Sequence, residues 1–270
     1  MSSSARLRVM LDNQVTVLCC TPTYALRLAE VAAQEGVDLA EGSVQVILTA
    51  GEPGACIPPT RARLEALWPG ARVRDQYGMT EIGPVTFECP ALPGVLHVLE
   101  AGFIPEVIDP RTERHVGPGE RGELVLTNLS RVGSPLLRYR TGDLVQRAAR
   151  TPCACGRYDM ALEGGILGRT DDMVIVRSVN LYPAAVEEVM RRFDQVAEYR
   201  VEVSSERAMT ELQIQLEPAP DCLNSNGLEQ AVAAALRAAF NLRIPVSLVP
   251  PGTLPRFELK AQRWVRHEGQ

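Results

Sequence analysis

Three polar clusters in the chain have residue types and spacings suited to chemistry rather than to packing. Residues 75 to 90 read DQYGMTEIGPVTFECP. There Tyr77-Gly78-Met79-Thr80-Glu81 sets a hydroxyl and a carboxylate on a tight turn directly after an apolar strand pattern, where α/β proteins commonly carry reactive loops. The second cluster is Arg138-Tyr139-Arg140-Thr141-Gly142-Asp143 and the third is Gly168-Arg169-Thr170-Asp171-Asp172. Each alone has a plain structural reading: Thr-Glu caps a helix, Thr-Gly-Asp makes a turn, and Arg-Asp pairs sit in solvent. A fourth group is sulfur-based. Cys153-Ala154-Cys155-Gly156 is a knuckle that points two thiolates at one ion, and zinc needs four ligands. Cys89 and His97 complete a Cys3His set, a closed and therefore structural site; the other reading is unconnected buried thiols and a core histidine.

The elements that position these groups follow from periodicity. VTVLCC (15–20) reads as a buried strand, and Thr21-Pro22 opens a helix that Gly36 closes. VQVILTA (44–50) is a second strand, ending in Gly51-Glu52-Pro53-Gly54; Pro58-Pro59-Thr60 opens a second helix, and ARVRDQYG supplies a third strand. Strands separated by helices imply a parallel sheet. From about 95 to 165 short strands and turns predict a β layer. After Gly168 the pattern is a strand over MVIVRSVNL, a helix over PAAVEEVMRRF, two alternating strands, a helix over LEQAVAAALRAAF and a strand over IPVSLVP. The expected division is 1–167, comprising an α/β part (1–90) and a β-rich part with the cysteine knuckle (91–167), followed by a small α+β domain over 168–270.

The 270 residues suffice for a full core, and 46% apolar with 23% charged residues exclude a disordered or fibrous chain. A net charge of −5 gives no electrostatic footprint for nucleic acid or an anionic membrane. No apolar run has signal-peptide or membrane-span form, so the expected location is the cytoplasm. Seven cysteines, an odd number, make a poor disulfide framework, and Cys19, Cys20, Cys56 and Cys222 are expected to be free thiols without a metal role.

Taken together and in this order, YGMTEIG, LRYRTGDL and GRTDDMVIVRSVNLYP resemble the core motifs of the adenylate-forming acyl-CoA synthetase superfamily. CTPTYALRLAE (20–30), GEP (51–53), FIPEVIDP (103–110), PCACGR (152–157) and LPRFELKAQR (254–263) narrow the resemblance to the phenylacetate–CoA ligase family, over about residues 15 to 265.

The resemblance implies the C-terminal part of a large adenylation domain followed by a mobile lid domain. It implies that a carboxylic acid, aryl or arylacetic by family, attacks ATP to give an acyl-adenylate, and that coenzyme A then displaces AMP. Within it, Thr80 contacts phosphate, Glu81 holds Mg²⁺, and Tyr77 stacks on adenine with Gly78 and Met79 beside it. Asp75 and Gln76 lie near the base's polar edge, Asp143 accepts both ribose hydroxyls, and Arg169 reaches phosphate or ribose. Lys260 stabilises the adenylation transition state. Asp171 is the hinge, swinging Lys260 in for one half-reaction and residues 173–183 in for the other. Gly51, Glu52 and Pro53, with Tyr24 as an aromatic wall, line the site for nucleotide and acid. The Cys89, His97, Cys153 and Cys155 set corresponds to a structural zinc in related ligases.

Two departures qualify that expectation. The family has an upstream portion with a Ser/Thr/Gly-rich phosphate loop, and no such loop occurs in these 270 residues. The expectation is a fragment, a split enzyme with a separate N-terminal half, or a shortened protein. Ser178 stands where the family has glycine, beside the path of the pantetheine arm, which leaves open a carrier-protein phosphopantetheine as the thiol acceptor. The alternative function is a non-catalytic nucleotide- or adenylate-binding remnant. A homodimer is left open.

Overall fold

Local signals set the first helices and strands. The Thr21 hydroxyl accepts the Tyr24 N–H, Pro22 occupies the first helical turn and Gly36 ends it at φ 69°, so α2 runs Pro22–Glu35. A computed structural model of the protein describes residues 1–177, 179–206 and 209–267. The Ser178 departure therefore lies outside the described residues. An additional helix, α1 (Ser3–Asp12), precedes the first expected strand, capped by Ser2 on the Ala5 N–H and packed through Leu7. Strands β1 (Val17–Cys20), β2 (Val46–Thr49) and β3 (Arg72–Asp75) pair in parallel in that order, with α3 (Pro58–Leu67) between the last two. Ile47 and Val73 are buried beneath Leu28, Leu64 and Trp68.

The chain then forms a two-residue-stranded hairpin, β4 (Gly78–Met79) and β5 (Gly83–Pro84), and enters a six-stranded sheet. Its members are β6 (Thr86–Glu88), β7 (Val95–Val98), β8 (Phe103–Ile108), β9 (Arg121–Asn128), β10 (Tyr139–Arg147) and β11 (Ala161–Arg169), in the spatial order β6-β7-β11-β10-β9-β8. All pairs in it are antiparallel, and Val85, Leu96, Leu124, Leu126, Val145 and Leu162 form its core.

The molecule divides into two units, Met1–Asp171 and Asp172–Gln270. In the second, the single strand expected over MVIVRSVNL is instead a hairpin of β12 (Val174–Val176) and β13 (Val179–Leu181), with Arg177 at φ 47° leaving β12. Arg177-Ser178 carries no Gly or Pro turn signal, so the β-branched residues on either side read as one strand. After it come α4 (Pro183–Met190), β14 (Val196–Glu206), β15 (Met209–Pro218), α5 (Ser225–Phe240), β16 (Val246–Leu248) and a strand the periodicity did not announce, β17 (Trp264–His267). The sheet order is β16-β15-β14-β17, with both edge strands parallel to their neighbours. No helix among the described residues is long and apolar enough to cross a membrane.

A buried ion network locks this second unit. Glu187 of α4 accepts from Arg191 Nε at 2.6 Å and from the Tyr199 hydroxyl, and lies 3.4 Å from Arg263 Nη1. Arg263 also grips Glu198 at 2.7 and 3.2 Å. Burial alone raises the Glu187 pKa, but the charges of Arg191 and Arg263 outweigh it and bring it from 4.5 to about 2. A carboxyl held low in the folded state stabilises the fold at every pH above 4.5 and loses that contribution as pH falls toward 2. The second unit is thus expected to weaken over this acid window, read as hydrogen exchange of β14 amides corrected for intrinsic rate. Glu187→Gln is expected to flatten the pH dependence; an unchanged slope counts against the network.

Candidate active site and metal centre

The Tyr77–Glu81 stretch is a hairpin rather than a helix cap. A Cβ on Gly78 would meet the Gly83 carbonyl at 2.6 Å, so only glycine lets β4 and β5 close, and Gly83 turns at φ 94°. Thr80 and Glu81 stand exposed near its tip, and Arg131 Nη1 donates to both of their carbonyls. The Tyr139 hydroxyl donates to Glu81 Oε1 at 2.8 Å. Glu81's own N–H, then Tyr139, hold that carboxyl below its usual range, so it is a ready anionic ligand.

Arg-Thr-Gly-Asp is likewise no turn. It lies inside β10, where the register against β9 slips between Arg140 and Leu144 and Gly142 adopts φ 73°. The bulge re-aims the strand. The Thr141 hydroxyl donates to the Leu124 carbonyl and accepts the Asp143 N–H at 3.0 Å. Asp143, 6% exposed, accepts the Tyr77 hydroxyl at 2.6 Å on Oδ2, while Arg169 Nη1 lies 3.6 Å from Oδ1. Burial, then Asp143, pushes the Tyr77 phenol well above its ordinary value, so it stays a donor. Arg169 pairs with Asp143 across β10 and β11, and its guanidinium lies where a Gly142 Cβ would intrude at 2.9 Å. Its Nε and Nη2 bind both oxygens of Asp171, at 2.8 and 3.1 Å. Tyr77, Glu81, Asp143, Arg169 and Asp171 thus gather within the first unit.

Asp75 and Gln76 were expected at the base's edge. Asp75 is buried and acts as a tie. Its carboxylate accepts from Thr49 Oγ1 at 3.1 Å, the Cys56 N–H at 2.8 Å and the Gln76 N–H at 3.0 Å, and burial raises its pKa. Beneath it Glu88 of β6 is bound by Arg61 and takes the Gly94 N–H at 2.7 Å. Neither Arg61 nor Glu88 had a sequence signal. Gln76 is half-buried at the end of the strand.

The GEP loop meets the start of α2: Glu52 accepts the Thr23 N–H at 2.8 Å, and a Cβ on Gly54 would collide with Pro22 at 1.9 Å. Gly51 turns at φ 91°, with Pro53 half-buried behind it. Tyr24, expected as an aromatic wall, packs in the helical core at 7% exposure. Its hydroxyl accepts from Arg6 Nη1 at 2.6 Å beneath α1. Lys260 belongs to the second unit, on an exposed bend. Four residues before it Arg256 is clamped by the buried Glu217, and three after it Arg263 by Glu198, so both ends of its segment are anchored.

The Cys89, His97, Cys153 and Cys155 ligand atoms lie within 4.8 Å of one another. Cys89 Sγ and Cys153 Sγ are 3.7 Å apart, and Cys155 Sγ is 3.3 Å from His97 Nε2. A zinc tetrahedron with bonds of ~2.3 Å to sulfur places sulfur pairs about 3.8 Å apart, so the set fits. His97 Nδ1 lies 3.2 Å from the Asp159 carbonyl, which leaves Nε2 for a metal. The Arg157 N–H lowers the Cys155 thiol pKa, favouring thiolate. Arg157, Phe87 and His97 stack in turn.

Tyr139 was named in the second cluster but given no role, since a tyrosine in an Arg-rich strand carries no signal of a partner 58 residues away. Tyr139→Phe is expected to let the Glu81 carboxyl titrate closer to its ordinary value without unfolding the chain. A carboxyl NMR titration of Glu81 checks it; an unchanged curve removes the role.

Family profiles place this arrangement. "AMP-binding enzyme" matches residues 1–130, and "AMP-binding enzyme C-terminal domain" matches residues 178–267. The phenylacetate–coenzyme A ligase of Thermus thermophilus is 34% identical over 92% of this chain, and that of Escherichia coli 30% identical over 93%. The chain belongs to the phenylacetate–CoA ligase family of adenylate-forming enzymes. It spans 59% and 58% of the length of those two ligases. Among solved structures, a 2-hydroxyisobutyryl-CoA ligase in the postadenylation state, in complex with 2-HIB-AMP, matches at TM-score 0.92 and 28% identity. That match covers 98% of this chain and 57% of the ligase. An anthranilate CoA ligase shares the fold at 18% identity and TM-score 0.69.

Proposed function

We propose that this chain carries the nucleotide- and thiol-handling part of an AMP-forming acid–thiol ligase. In this reading ATP activates a carboxylic acid, aryl or arylacetic, to an acyl-adenylate, and coenzyme A or a carrier-protein phosphopantetheine accepts the acyl group. The carrying observation is the Tyr77–Asp143–Arg169 cluster. A buried carboxylate, fixed by a phenol on one oxygen and flanked by a guanidinium at the other, is a pre-oriented two-oxygen acceptor of the kind that vicinal hydroxyls use.

Glu81 would hold Mg²⁺, which supplies charge neutralisation on the phosphates. Thr80 sits beside it to donate to phosphate, and the Tyr77 ring borders the base. Asp171, tied to Arg169 at the junction of the two units, is the proposed hinge. The solved 2-hydroxyisobutyryl-CoA ligase is seen in both a postadenylation and a thioesterification state. Lys260 is the cation brought to the transition state, and the Cys3His set is a structural zinc site.

Carboxylate-dependent pyrophosphate exchange with a panel of aryl acids tests the reading. It is run on the chain alone and with the remaining portion of a family ligase supplied. Exchange in either format is expected; none in both sinks it. Lys260→Ala should abolish exchange while leaving thioester formation from preformed acyl-adenylate.

A further inference from the structure

Lys260 is the only lysine in these 270 residues, and it lies between β16 and β17, where the described residues form no regular element. That stretch is shaped by two acids. Glu198 of β14 and Glu217 of β15 stand directly opposite each other in the antiparallel register, and both are buried, at 5% and 1% exposure. Like charges so placed repel, because paired side chains of neighbouring strands lie only about 5 Å apart at Cβ. Two arginines from one segment offset the repulsion. Arg256 forks onto Glu217, with Nη2 2.5 Å from Oε1 and Nη1 3.2 Å from Oε2, and the same carboxylate accepts the Gly252 and Leu254 N–H groups at 2.8 Å each. Burial raises the Glu217 pKa, but Arg256 and the two N–H groups outweigh it and hold the carboxyl below its ordinary value. Arg263 forks onto Glu198 at 2.7 and 3.2 Å, and its guanidinium lies 5.9 Å from the centre of the Phe257 ring.

The segment thus leaves the second unit's sheet at one member of a cross-strand pair and returns at the other. Residues 257–262 close between two neighbouring anchors, with Lys260 exposed on the bend between them. An unanchored segment would spread the lysine over many backbone conformers. Buried ion pairs add little net stability over apolar residues of similar volume, but they select one arrangement. A like-charged pair inside a sheet breaks a local pairing rule, and such breaks belong where function requires them. We propose that Glu217 and Glu198 are positioning residues for the adenylation half-reaction: through Arg256 and Arg263 they hold the loop that presents Lys260. The role of Lys260 rests on the functional reading above, whereas the clasp is measured without activity.

With a single lysine, lysine-selective nitrogen labelling gives one amide signal, on that bend. Wild type is expected to show an order parameter of about 0.8, close to rigid backbone, and Glu217→Gln to bring it below about 0.6 with an unchanged circular dichroism spectrum. Arg256→Met breaks the same fork from its half-buried side and is expected to do the same, which keeps the test open should Glu217→Gln not fold. The double variant should lose no more than the larger single change, because both break one clasp. In whichever format exchange occurs, each variant is expected to lower kcat of pyrophosphate exchange at least about tenfold, with KM for ATP within about twofold of wild type. Thioester formation from preformed acyl-adenylate should be unchanged. A wild-type order parameter below about 0.6, or a Lys260 signal that neither variant loosens, overturns the proposal. So does a loosened Lys260 with exchange unchanged, and so does an equal loss in both half-reactions, the mark of a purely structural clasp. An ordered, clasp-dependent Lys260 without exchange in either format defeats the functional reading and leaves the positioning.

Discussion

Asp143→Asn is expected to lower pyrophosphate exchange about a hundred- to a thousandfold in whichever format exchange occurs, and to weaken AMP binding in calorimetry by a similar factor. Hydrogen bonds to an ionised acceptor contribute about 1.5–3 kcal/mol each, and two ribose hydroxyls depend on this carboxylate in the proposed complex. Asparagine keeps the volume but turns one acceptor oxygen into a donor group, facing either the Tyr77 hydroxyl or the Arg169 guanidinium. The fold should persist, because the bulge is held by the Thr141 hydroxyl and the Leu124 carbonyl rather than by the Asp143 side chain. Tyr77→Phe separates the two roles of the cluster. It removes the bond that orients Asp143 while leaving an aromatic face for the base, and a loss of no more than about tenfold is expected. Equal AMP affinity in wild type and Asp143→Asn would remove Asp143 from the nucleotide site.

Removal of the metal should act on stability rather than on nucleotide contacts. Purified without chelator, the chain is expected to hold about one equivalent of zinc, and less than about half an equivalent counts against the site. Cys153→Ser should abolish binding and lower the melting temperature of the first unit by roughly 10 °C, since several kcal/mol in a unit of this size shifts Tm by about 2–4 °C per kcal/mol. The physical reason is the topology the four ligands close. Cys89 follows β6, His97 lies in β7, and Cys153 and Cys155 sit between β10 and β11, so a bound ion adds a direct link among three segments that otherwise meet through strand pairing, the Arg157–Phe87–His97 stack and the His97–Asp159 contact. A strong chelator should reproduce the shift in wild type and add nothing in Cys153→Ser. Cys222→Ser, in the second unit, should leave metal content and the first transition unchanged.

What could be read from the sequence was local or rested on motif order. Thr21, Pro22 and Gly36 specify the start and end of α2 through a cap, a preset φ and a left-handed stop, each a matter of adjacent residues. Alternation and helical period gave the parallel sheet, the β layer and most of the second unit. The order of YGMTEIG, LRYRTGDL and GRTDD pointed to Tyr77, Asp143 and Arg169, which do converge. The four sulfur and imidazole ligands were nameable because two lie in one knuckle.

Tertiary structure decided everything that depends on distant partners. Asp75 became a buried tie because Thr49 and the Cys56 N–H reach it from other elements. Tyr139 met Glu81, and Arg61 met Glu88, across 58 and 27 residues. The strand-like run 174–181 folded back as a hairpin, and β17 formed because β14 offered a parallel edge. The same holds for Glu198 and Glu217: their charges are plain in the sequence, but only the strand register sets them opposite each other, and only the returning chain brings Arg256 and Arg263 to them.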